Sequence, residues 1–449
     1  MSKLMVSISG IRGIVGDTLT PEVLINFASA FGEFCGKGKI IVGRDSRVTG
    51  EMVQNFVVSA LNSVGCDVVE IGIVPTPTVQ MMVEKFHAAG GIAVTASHNP
   101  IEWNAMKLIS GTGLFLDGEE GEKVIEIAKN KSYTLATYDK IGKVEKYEKA
   151  IEDHIHSVLD LKFIDVDLIR SKKFKVALDT VNGAGGTTIP QLLETLGCEV
   201  VGLNLEPNGI FAHTPEPVPQ NLTDLMEVVK SSKSDLGIAI DPDADRCALI
   251  SEEGKPLSEE YTLALAVKLL LPKRNGTVVT NLSTTLAVDK IAESYGAKVI
   301  RTAVGEINVA KKMKEITSTI GGEGNGGVIL GDVHYGRDSL VAVALTLQHL
   351  AEFGGKISAL HKSLPQFSIC KKKIELGEIN PDAVLEKIAE MFKNEILDFT
   401  DGLKICRENS WIHLRKSNTE PIVRVITEAP TSEEAESLAD EFVKLALEK

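Results

Sequence analysis

The 449-residue sequence contains only six cysteines, and none of them lies in a CxxC motif or is paired with a histidine. This scarcity argues against a disulfide scaffold and against a cysteine-based metal site, so we expect reduced, mostly buried thiols in a cytoplasmic protein. Long apolar runs are also missing, since none approaches the roughly 20 residues that span a bilayer. The N-terminal stretch MSKLMVSISG lacks the apolar segment of a signal peptide, so we expect no export.

Positive charge is in deficit as well. The 48 Lys and Arg residues are outnumbered by 62 Asp and Glu residues, which gives a formal net charge of −14. This balance disfavours nonspecific binding to nucleic acids or anionic membranes, so we expect neither as a partner. An anionic substrate would therefore need a locally basic pocket.

What the sequence does contain is a repeated unit. KIIVGRDSR (39–47), KVALDTVNGAGG (175–186) and TVVTNLSTT (277–285) each read as a strand and a polar turn. An amphipathic stretch follows each one, and then a Gly-x-x-Val sequence opens a further strand. This order is typical of a parallel βαβ crossover, and the matched spacing makes a chance triplication the weaker explanation.

Each copy continues into a third apolar strand and a distinctive loop. These loops are TASHNP (95–100), DPDADR (241–246) and GEGNGG (322–327). Ligands of open parallel sheets bind beyond the carboxyl ends of the strands. Three related domains would therefore offer three equivalent loops that can converge on one cleft.

The pattern changes after about Pro365. A basic strand at 368–376, a helix from Pro381, two strands around RKSNTEP and a final helix predict a small α+β domain. Before the second copy, Val144, Tyr147, Ile151, Ile155 and Val158 are predicted to form one apolar helical face. His154 and His156 do not share a helical face, so surface or interface positions are favoured over a metal pair.

DPDADR is the strongest single motif. Asp241, Asp243 and Asp245 concentrate negative charge that calls for a hard divalent cation. An EF-hand also begins with alternating aspartates, but its sixth position requires glycine, and here that position is Arg246. A solvated acidic loop without metal is the remaining alternative.

TASHNP is ambiguous by itself, because a capped turn has the same composition. A hydrolase nucleophile is disfavoured, since the G-x-S-x-G elbow is missing and adjacent Ser97 and His98 make a poor Ser–His pair. A hydroxyl beside a divalent cation suits phosphoryl transfer better, because the cation neutralises charge on the moving group.

The remaining loops have polar compositions that suit sugars and phosphates. RKSNTEPIVR (415–424) combines two guanidinium groups, hydroxyls and turn amides, which can hold an oxyanion. GEGNGG offers Glu323 and Asn325 between glycines, which suits sugar hydroxyls. GIRG (10–13) is predicted to expose Arg12 in a tight turn. A plain turn remains the alternative for each loop taken alone.

Taken in order, Gly10–Gly13, Thr95–Lys107, Asp241–Arg246, Gly322–Gly327 and Arg415–Pro421 resemble the α-D-phosphohexomutase superfamily over nearly the whole chain. The resemblance implies three related mixed-sheet α/β domains and a smaller C-terminal α+β domain around a central cleft. We expect their boundaries at 1–150, 151–254, 255–366 and 367–449.

The resemblance also implies a role for each site residue. The catalytic group would comprise Ser97, Arg12, Lys107 and His98. Mg²⁺ would be bound by Ser97, as a phosphoserine primed by a hexose bisphosphate, and by Asp241, Asp243 and Asp245. The substrate would contact Arg246, Gly305, Glu306, Glu323 and Asn325. The distal phosphate would be held by Arg415, Ser417, Asn418, Thr419 and Arg424.

The implied reaction interconverts hexose 6-phosphate and hexose 1-phosphate through a bisphosphorylated sugar, in a monomer or homodimer. Two departures bear on the substrate. The sugar loop reads Asn325-Gly326-Gly327 where many relatives have Ser-Gly-His, and the serine loop reads Asn104-Ala105-Met106-Lys107 where Asn-Gly-x-Lys is usual. We favour glucosamine phosphate, because an acidic group such as Glu306 suits an amino sugar. Mannose and glucose phosphates remain alternatives, as do a metal-dependent sugar phosphatase and a non-catalytic sugar-phosphate binder.

Overall fold

The computed structural model describes residues 4–7, 10–375, 380–416 and 422–448. These residues form four β-sheets that follow one another along the chain. Each sheet is packed against helices, so the fold is a series of α/β units. In the described part of the chain, no helix is long and apolar enough to cross a membrane.

The first sheet has the strand order β1-β2-β6-β5-β3-β4-β7. Its strands are β1 (Met5–Ser7), β2 (Gly10–Ile14), β3 (Ile40–Arg44), β4 (Val68–Ile73), β5 (Gly90–Val94), β6 (Trp103–Ser110) and β7 (Val144–Lys146). Its helices are α1 (Pro21–Phe34), α2 (Gly50–Ser63), α3 (Thr76–Lys85) and α4 (Gly118–Asn130). Ile40 and Val42 of β3 enter one apolar core and Ile41 enters another, so helices cover both faces of this sheet.

The second sheet has the order β11-β10-β8-β9, and the third has β13-β12-β14-β15-β16. The second comprises β8 (Lys175–Asp179), β9 (Glu199–Leu203), β10 (Leu236–Ile240) and β11 (Cys247–Ser251), with α5 (Ala150–Leu159), α6 (Val166–Lys172), α7 (Ile189–Thr195) and α8 (Thr223–Ser232). The third comprises β12 (Val278–Asn281), β13 (Val299–Thr302), β14 (Ile320–Glu323), β15 (Gly327–Leu330) and β16 (His334–Arg337), with α9 (Glu260–Leu270), α10 (Leu286–Ser294), α11 (Glu306–Ile316), α12 (Ser339–Phe353) and α13 (Ile357–Lys362). One continuous apolar core joins these two units.

The predicted repeat is confirmed by the strand pairing. β3, β8 and β12 each pair in parallel with the strand after their crossover and with the third strand of the unit. An antiparallel strand, β6, β11 or β15, then completes the same four-strand order in each sheet. TASHNP, DPDADR and GEGNGG consequently lie at or beyond the carboxyl ends of the equivalent strands β5, β10 and β14.

The fourth sheet is antiparallel throughout, in the order β17-β21-β20-β19-β18. It comprises β17 (Ser368–Glu375), β18 (Ile396–Asp398), β19 (Leu403–Cys406), β20 (Trp411–Lys416) and β21 (Ile422–Ala429), with α14 (Pro381–Met391) and α15 (Ser432–Leu447). The side chain of Thr431 caps α15 by accepting a hydrogen bond from the Glu434 amide at 3.2 Å. This unit is the smaller C-terminal α+β domain that the sequence predicts.

Three local predictions were wrong. The GIRG segment lies in strand β2, paired with β6, and forms no tight turn. Val144 lies in strand β7 and Tyr147 precedes α5, so neither shares a helical face with Ile155. All six cysteines are free as expected, but only Cys66 and Cys247 are fully buried.

His154 joins the first and third units. Its Nδ1 lies 2.8 Å from Thr78 Oγ1 of α3, and its Nε2 lies 2.7 Å from Asp338 Oδ2. His334 Nε2 is 3.1 Å from the same carboxylate oxygen, and Asp338 Oδ1 accepts the Leu340 amide at the start of α12. These groups could also hold a metal ion. Their hydrogen bonds already satisfy the Asp338 carboxylate, so we interpret them as a buried interdomain contact.

Candidate active site

Ser97 is held in an unusual backbone conformation. Its φ is +49°, in the left-handed region that a residue with a Cβ seldom adopts. The Ser97 amide donates to Thr95 Oγ1 at 2.9 Å, and Thr95 Oγ1 donates to Asp45 Oδ2 at 2.6 Å. Strain of this kind persists only where the surroundings fix it, and it directs the hydroxyl away from its own sheet.

Arg47 is the residue that fixes the serine loop. Its buried guanidinium donates to the carbonyl oxygens of Ser97, Asn99, Pro100 and Trp103 at 2.5 to 2.9 Å. A further bond of 3.2 Å joins Arg47 Nε to Asp45 Oδ2, and Phe211 of the second domain lies over the guanidinium plane at 4.9 Å. One side chain therefore donates to four carbonyls of the loop, three of them from the segment Ser97–Pro100.

The three aspartates of DPDADR are each anchored by one carboxylate oxygen. Asp241 Oδ1 accepts the amides of Asp245 and Arg246 at 3.1 Å. Asp243 Oδ2 accepts from Thr76 Oγ1 and from Lys107 Nζ, both at 2.6 Å. Asp245 Oδ2 accepts from Arg337 Nη2 of β16 at 2.5 Å. The anchoring bonds orient the loop. The second oxygens of Asp243 and Asp245 accept no hydrogen bond, and the second oxygen of Asp241 accepts one from the Ser97 hydroxyl.

The free oxygens fit a divalent cation. Among the described residues, no donor comes within hydrogen-bonding distance of Asp243 Oδ1 or Asp245 Oδ1, although both atoms are buried, and Arg246 Nε lies 3.6 Å from Asp245 Oδ1. One ligand atom from each aspartate lies within 4.8 Å of the other two. Burial, together with Asp245 and Asp243, raises the pKa of Asp241 well above its ordinary value, because three buried carboxylates cannot all ionise unaided. A hard cation such as Mg²⁺ relieves this repulsion, and carboxylate oxygens are its preferred protein ligands.

The side chains around Ser97 are positioned for phosphate chemistry. Ser97 Oγ donates to Asp241 Oδ2 at 3.2 Å and lies 3.4 Å from His98 Nδ1. Burial, reinforced by the charges of Arg246 and Arg12, lowers the pKa of His98 to about 3, so the imidazole is neutral. Burial alone would lower the pKa of Lys107, but Asp243 and Asp245 outweigh it and raise that pKa, so the ammonium stays charged.

Arg12 lies beside the same loop. Its Nη1 donates to Asn99 Oδ1 at 2.7 Å. Burial lowers its pKa from the ordinary value, although Asp243 opposes this effect, and an arginine still carries its proton under these conditions. Arg12 and Lys107 therefore place two positive charges near Ser97, within an acidic protein.

Glu323 of the GEGNGG loop is fully engaged by hydrogen bonds. Its Oε1 accepts from Asn281 Nδ2 at 2.7 Å and from the Gly305 amide at 3.1 Å. Its Oε2 accepts from Arg337 Nη1 at 2.7 Å and from Asn325 Nδ2 at 3.4 Å. These bonds fix the carboxylate at the cavity wall, in one orientation.

Glu306 begins helix α11 behind Arg337. Its Oε1 accepts the Arg337 amide at 3.1 Å, and its Oε2 forms an ion pair with Arg337 Nε at 3.1 Å. Burial raises the pKa of Glu306, although Arg337 opposes the shift. The carboxylate is therefore already balanced by a cation of this chain, which weakens the expectation that it alone would attract an amino sugar.

The C-terminal domain contributes two guanidinium groups. Arg415 of β20 and Arg424 of β21 are directly paired residues of the antiparallel sheet, and both line the cavity. Arg415 Nε forms an ion pair with Asp401 Oδ2 at 2.8 Å, and the same oxygen accepts the Val304 amide at 3.0 Å. Asp401 thus connects the guanidinium pair to the loop before α11.

One cavity of about 850 Å³ is lined by residues from all four units. The site residues predicted from the sequence that line it are Arg12, Ser97, His98, Lys107, Arg246, Gly305, Glu306, Glu323, Asn325, Arg415 and Arg424. Asp241, Asp243 and Asp245 are buried against Ser97 and Lys107. Ser417, Asn418 and Thr419 lie outside the described residues. The catalytic, metal-binding and substrate-binding roles of all these residues remain predictions.

Arg47, Thr76 and Arg337 belong to the site but were not predicted from the sequence. Arg47 follows strand β3 in the segment GRDSR, and its place at a strand's carboxyl end was the available signal. Thr76 opens helix α3, and its amide also donates to the Asp243 carbonyl at 2.9 Å. Arg337 belongs to a short strand with no recognisable motif, so nothing local marked it.

Comparisons with known proteins agree with this arrangement. Residues 4–134, 152–254 and 248–367 match the phosphoglucomutase/phosphomannomutase alpha/beta/alpha domains I, II and III, and residues 372–445 match the C-terminal domain of that family. The predicted boundaries within the chain remain predictions.

Individual relatives extend over nearly the whole chain. A phosphoglucomutase/phosphomannomutase of Thermococcus kodakarensis is 39% identical, with 97% of each chain covered. A protein of Methanopyrus kandleri described as a probable phosphoglucosamine mutase is 36% identical, covering 97% of this chain and 96% of its own. A crystal structure of a phosphoglucomutase/phosphomannomutase family protein from Burkholderia thailandensis superimposes with a TM-score of 0.85 at 25% identity, covering 98% of this chain and 97% of its own.

Proposed function

Because this chain belongs to the phosphoglucomutase/phosphomannomutase family and is an enzyme of the phosphohexomutase superfamily, we propose that it interconverts hexose 6-phosphate and hexose 1-phosphate through a phosphoserine at Ser97. The observation that supports this most directly is the contact of Ser97 Oγ with Asp241 Oδ2 at 3.2 Å. It joins a hydroxyl and an acidic triad at a cavity that Arg415 and Arg424 of the C-terminal domain also line.

The proposed transfer balances without a co-reactant. The bond between phosphorus and Ser97 Oγ breaks as a bond forms between phosphorus and a sugar hydroxyl oxygen, and the hydroxyl proton passes in net to Ser97 Oγ. Neutral His98 is an acceptor near Ser97, and charged Lys107 is a donor near the same group. A divalent cation held by Asp243 Oδ1, Asp245 Oδ1 and the Asp241 oxygen that contacts Ser97 would neutralise charge on the phosphoryl group.

The reverse half uses the same groups. The sugar bisphosphate turns over within the cavity, and its other phosphate returns to Ser97. The pair formed by Arg415 and Arg424 would hold whichever phosphate is not being transferred, because bidentate guanidinium groups bind phosphate without attacking it. A cavity of about 850 Å³ is large enough for a hexose bisphosphate to turn over within it.

Glucosamine phosphate is the substrate that we favour. The probable phosphoglucosamine mutase of Methanopyrus kandleri, which is 36% identical, supports it. Glucose and mannose phosphates are the alternative, which the 39% identical Thermococcus kodakarensis protein supports. Because Arg337 already neutralises the Glu306 carboxylate, the charge of Glu306 does not decide between these substrates. Measurement of kcat/KM for glucosamine, glucose and mannose 6-phosphates decides between them.

The direct test follows hexose 1-phosphate formation and inorganic phosphate release in one reaction with Mg²⁺. A mutase forms the isomer and releases almost no phosphate. Release at a rate comparable with isomerisation would assign a phosphatase instead, and tight binding with neither product would assign a sugar-phosphate binding protein.

A further inference from the structure

Arg337 stands between the two loops on which the proposed reaction depends. Its Nη2 donates to Asp245 Oδ2 at 2.5 Å, and its Nη1 donates to Glu323 Oε2 at 2.7 Å. With the Glu306 ion pair at 3.1 Å, one guanidinium contacts carboxylates of the acidic triad, the sugar loop and helix α11. Only 8% of the residue is exposed, so these contacts are shielded from solvent.

We propose that Arg337 is a positioning residue that sets the orientation of Asp245 and Glu323 relative to each other, and so couples metal binding to sugar recognition. This inference assumes the function proposed above. Because Arg337 occupies Asp245 Oδ2, the buried Oδ1 is the oxygen left for a cation. On the other side, Arg337 holds Glu323 Oε2 at the cavity wall.

The charges require a cation at this place. Asp245, Glu323 and Glu306 are all buried, and each contacts the same guanidinium. Without it, three carboxylates from three segments would face one another in a medium that screens charge poorly. A planar guanidinium can bond all three at once, whereas an ammonium offers a single point charge.

The sugar loop is shaped around the Arg337 side chain. A Cβ added to Gly327 would lie 2.2 Å from Arg337 Cδ and 2.8 Å from Arg337 Cγ. A side chain at position 327, such as the histidine of many relatives, therefore cannot coexist with Arg337 in this position. Gly327 and Arg337 therefore form a matched pair. This pairing accounts for glycine at position 327, where many relatives have histidine.

The pair predicts a specific pattern of coupling between substitutions. Gly327→Ala in the natural background should displace Arg337 and so remove its hydrogen bond to Asp245. Loss of a hydrogen bond to a metal ligand typically costs about 10-fold or more, so we expect kcat/KM to fall by that factor. In the Arg337→Ala background the added methyl group meets no arginine and only Asn325 Oδ1, at 3.1 Å, so the further loss should be clearly smaller than in the natural background. Equal losses from Gly327→Ala in both backgrounds would overturn the matched pair.

The positioning role is tested on the full-length protein by titration with MnCl₂ in the absence of sugar, alongside kcat and KM. Arg337→Ala should weaken Mn²⁺ binding and kcat each by about 10- to 100-fold and raise KM, and Arg337→Lys should restore part of each loss. Arg274→Met is the matched control, since Arg274 pairs with Asp332 in the same domain at an exposed site. This control should leave all three quantities unchanged.

Several outcomes separate the possibilities. If Arg337→Ala unfolds, Arg337→Lys and Gly327→Ala still test the role. A folded Arg337→Ala protein with Mn²⁺ affinity and KM within twofold of the natural chain would overturn it. If the natural chain isomerises no hexose phosphate, the proposed function fails, whereas the Mn²⁺ titration and the coupling of Gly327→Ala to Arg337→Ala in that titration still decide the positioning role.

Discussion

Ser97 Oγ and Asp241 Oδ2 lie 3.2 Å apart, although 144 residues separate them in the chain. Each side of this contact is held by its own domain: Arg47 binds the serine loop, and backbone amides bind the Asp241 carboxylate. Thr76 and Lys107 then join the two domains through Asp243. The proposed phosphoryl site therefore exists only because two domains meet in one orientation.

The acidic triad should be required for metal binding. Asp243→Asn keeps the size of the side chain but removes a charge and the anchor of Lys107. Loss of a residue that only hydrogen-bonds to a metal ligand costs up to roughly 100-fold, and we expect kcat to fall by more than this because Asp243 is itself a proposed ligand. Mn²⁺ titration and steady-state kinetics check this, with Asp332→Asn as the control, because Asp332 pairs with Arg274 away from the cavity. Unchanged Mn²⁺ affinity in Asp243→Asn would contradict the metal assignment.

Arg47 should determine the stability of the serine loop. Arg47→Met leaves the buried Asp45 carboxylate without its cation and removes one hydrogen bond from each of four carbonyls. Breaking a buried pair of this kind typically costs about 3 to 5 kcal/mol, so we expect a clear loss of thermal stability. Calorimetry of Arg47→Met and Arg47→Lys measures it, with lysine intermediate because it lacks the planar fork. A melting temperature of Arg47→Met equal to that of the natural chain would refute this role.

The contact between the third and fourth domains should weaken in acid. Burial lowers the pKa of His413 to about 4, and its nitrogens contact Ser283 Oγ at 2.9 Å and the Asp401 carbonyl at 2.6 Å. Between pH 6.5 and 4 the unfolded chain binds the proton and the folded chain does not. Stability therefore falls as pH falls through this window, by up to about 1.4 kcal/mol per unit.

His413→Gln should remove this component. We expect the melting temperature to drop less between pH 7 and pH 5 in His413→Gln than in the natural chain, although it starts lower at pH 7. His156→Gln, on an exposed part of α5, is the control and should follow the natural chain. Identical pH dependence in all three proteins would show that His413 does not contribute.

Arg415 should act on substrate binding. Arg415 lines the same cavity as Ser97, and charge-assisted hydrogen bonds contribute about 1.5 to 3 kcal/mol each. Arg415→Met is expected to raise KM for hexose 6-phosphate by about 10- to 100-fold, with a smaller effect on kcat. Arg407→Met serves as the control, because Arg407 pairs with Glu395 in the same domain and does not line the cavity. A selective loss of kcat would argue against the role in holding phosphate.

The sequence predicted those features that are encoded locally. DPDADR, TASHNP and GEGNGG each follow an apolar strand, and the threefold repeat of strand, helix and strand placed them at equivalent edges. Because their positions follow from topology, their convergence on one cavity could be expected before the structure. The loops that follow the third strand of each repeat were therefore the easiest to predict.

Features that depend on distant partners could not be predicted. Arg47 contacts carbonyls 50 to 56 positions away, and Arg337 contacts Asp245 92 positions away. Val144 has helical spacing with Ile151, but pairing with β4 makes it a strand, since sheet contacts outweigh a weak local preference. In the same way, GIRG contains two glycines, which are typical of a turn, but pairing with β6 holds the segment in an extended strand.

The central claim is most directly tested by the mass of the intact protein after incubation with a hexose 1,6-bisphosphate and Mg²⁺, followed by peptide mapping. The account predicts one added phosphoryl group, located on Ser97 and lost when hexose 6-phosphate is supplied, with none gained by an Ser97→Ala chain that remains folded. A phosphoryl group at another residue, or an unmodified Ser97→Ala chain that still isomerises hexose phosphate at the natural rate, would contradict it.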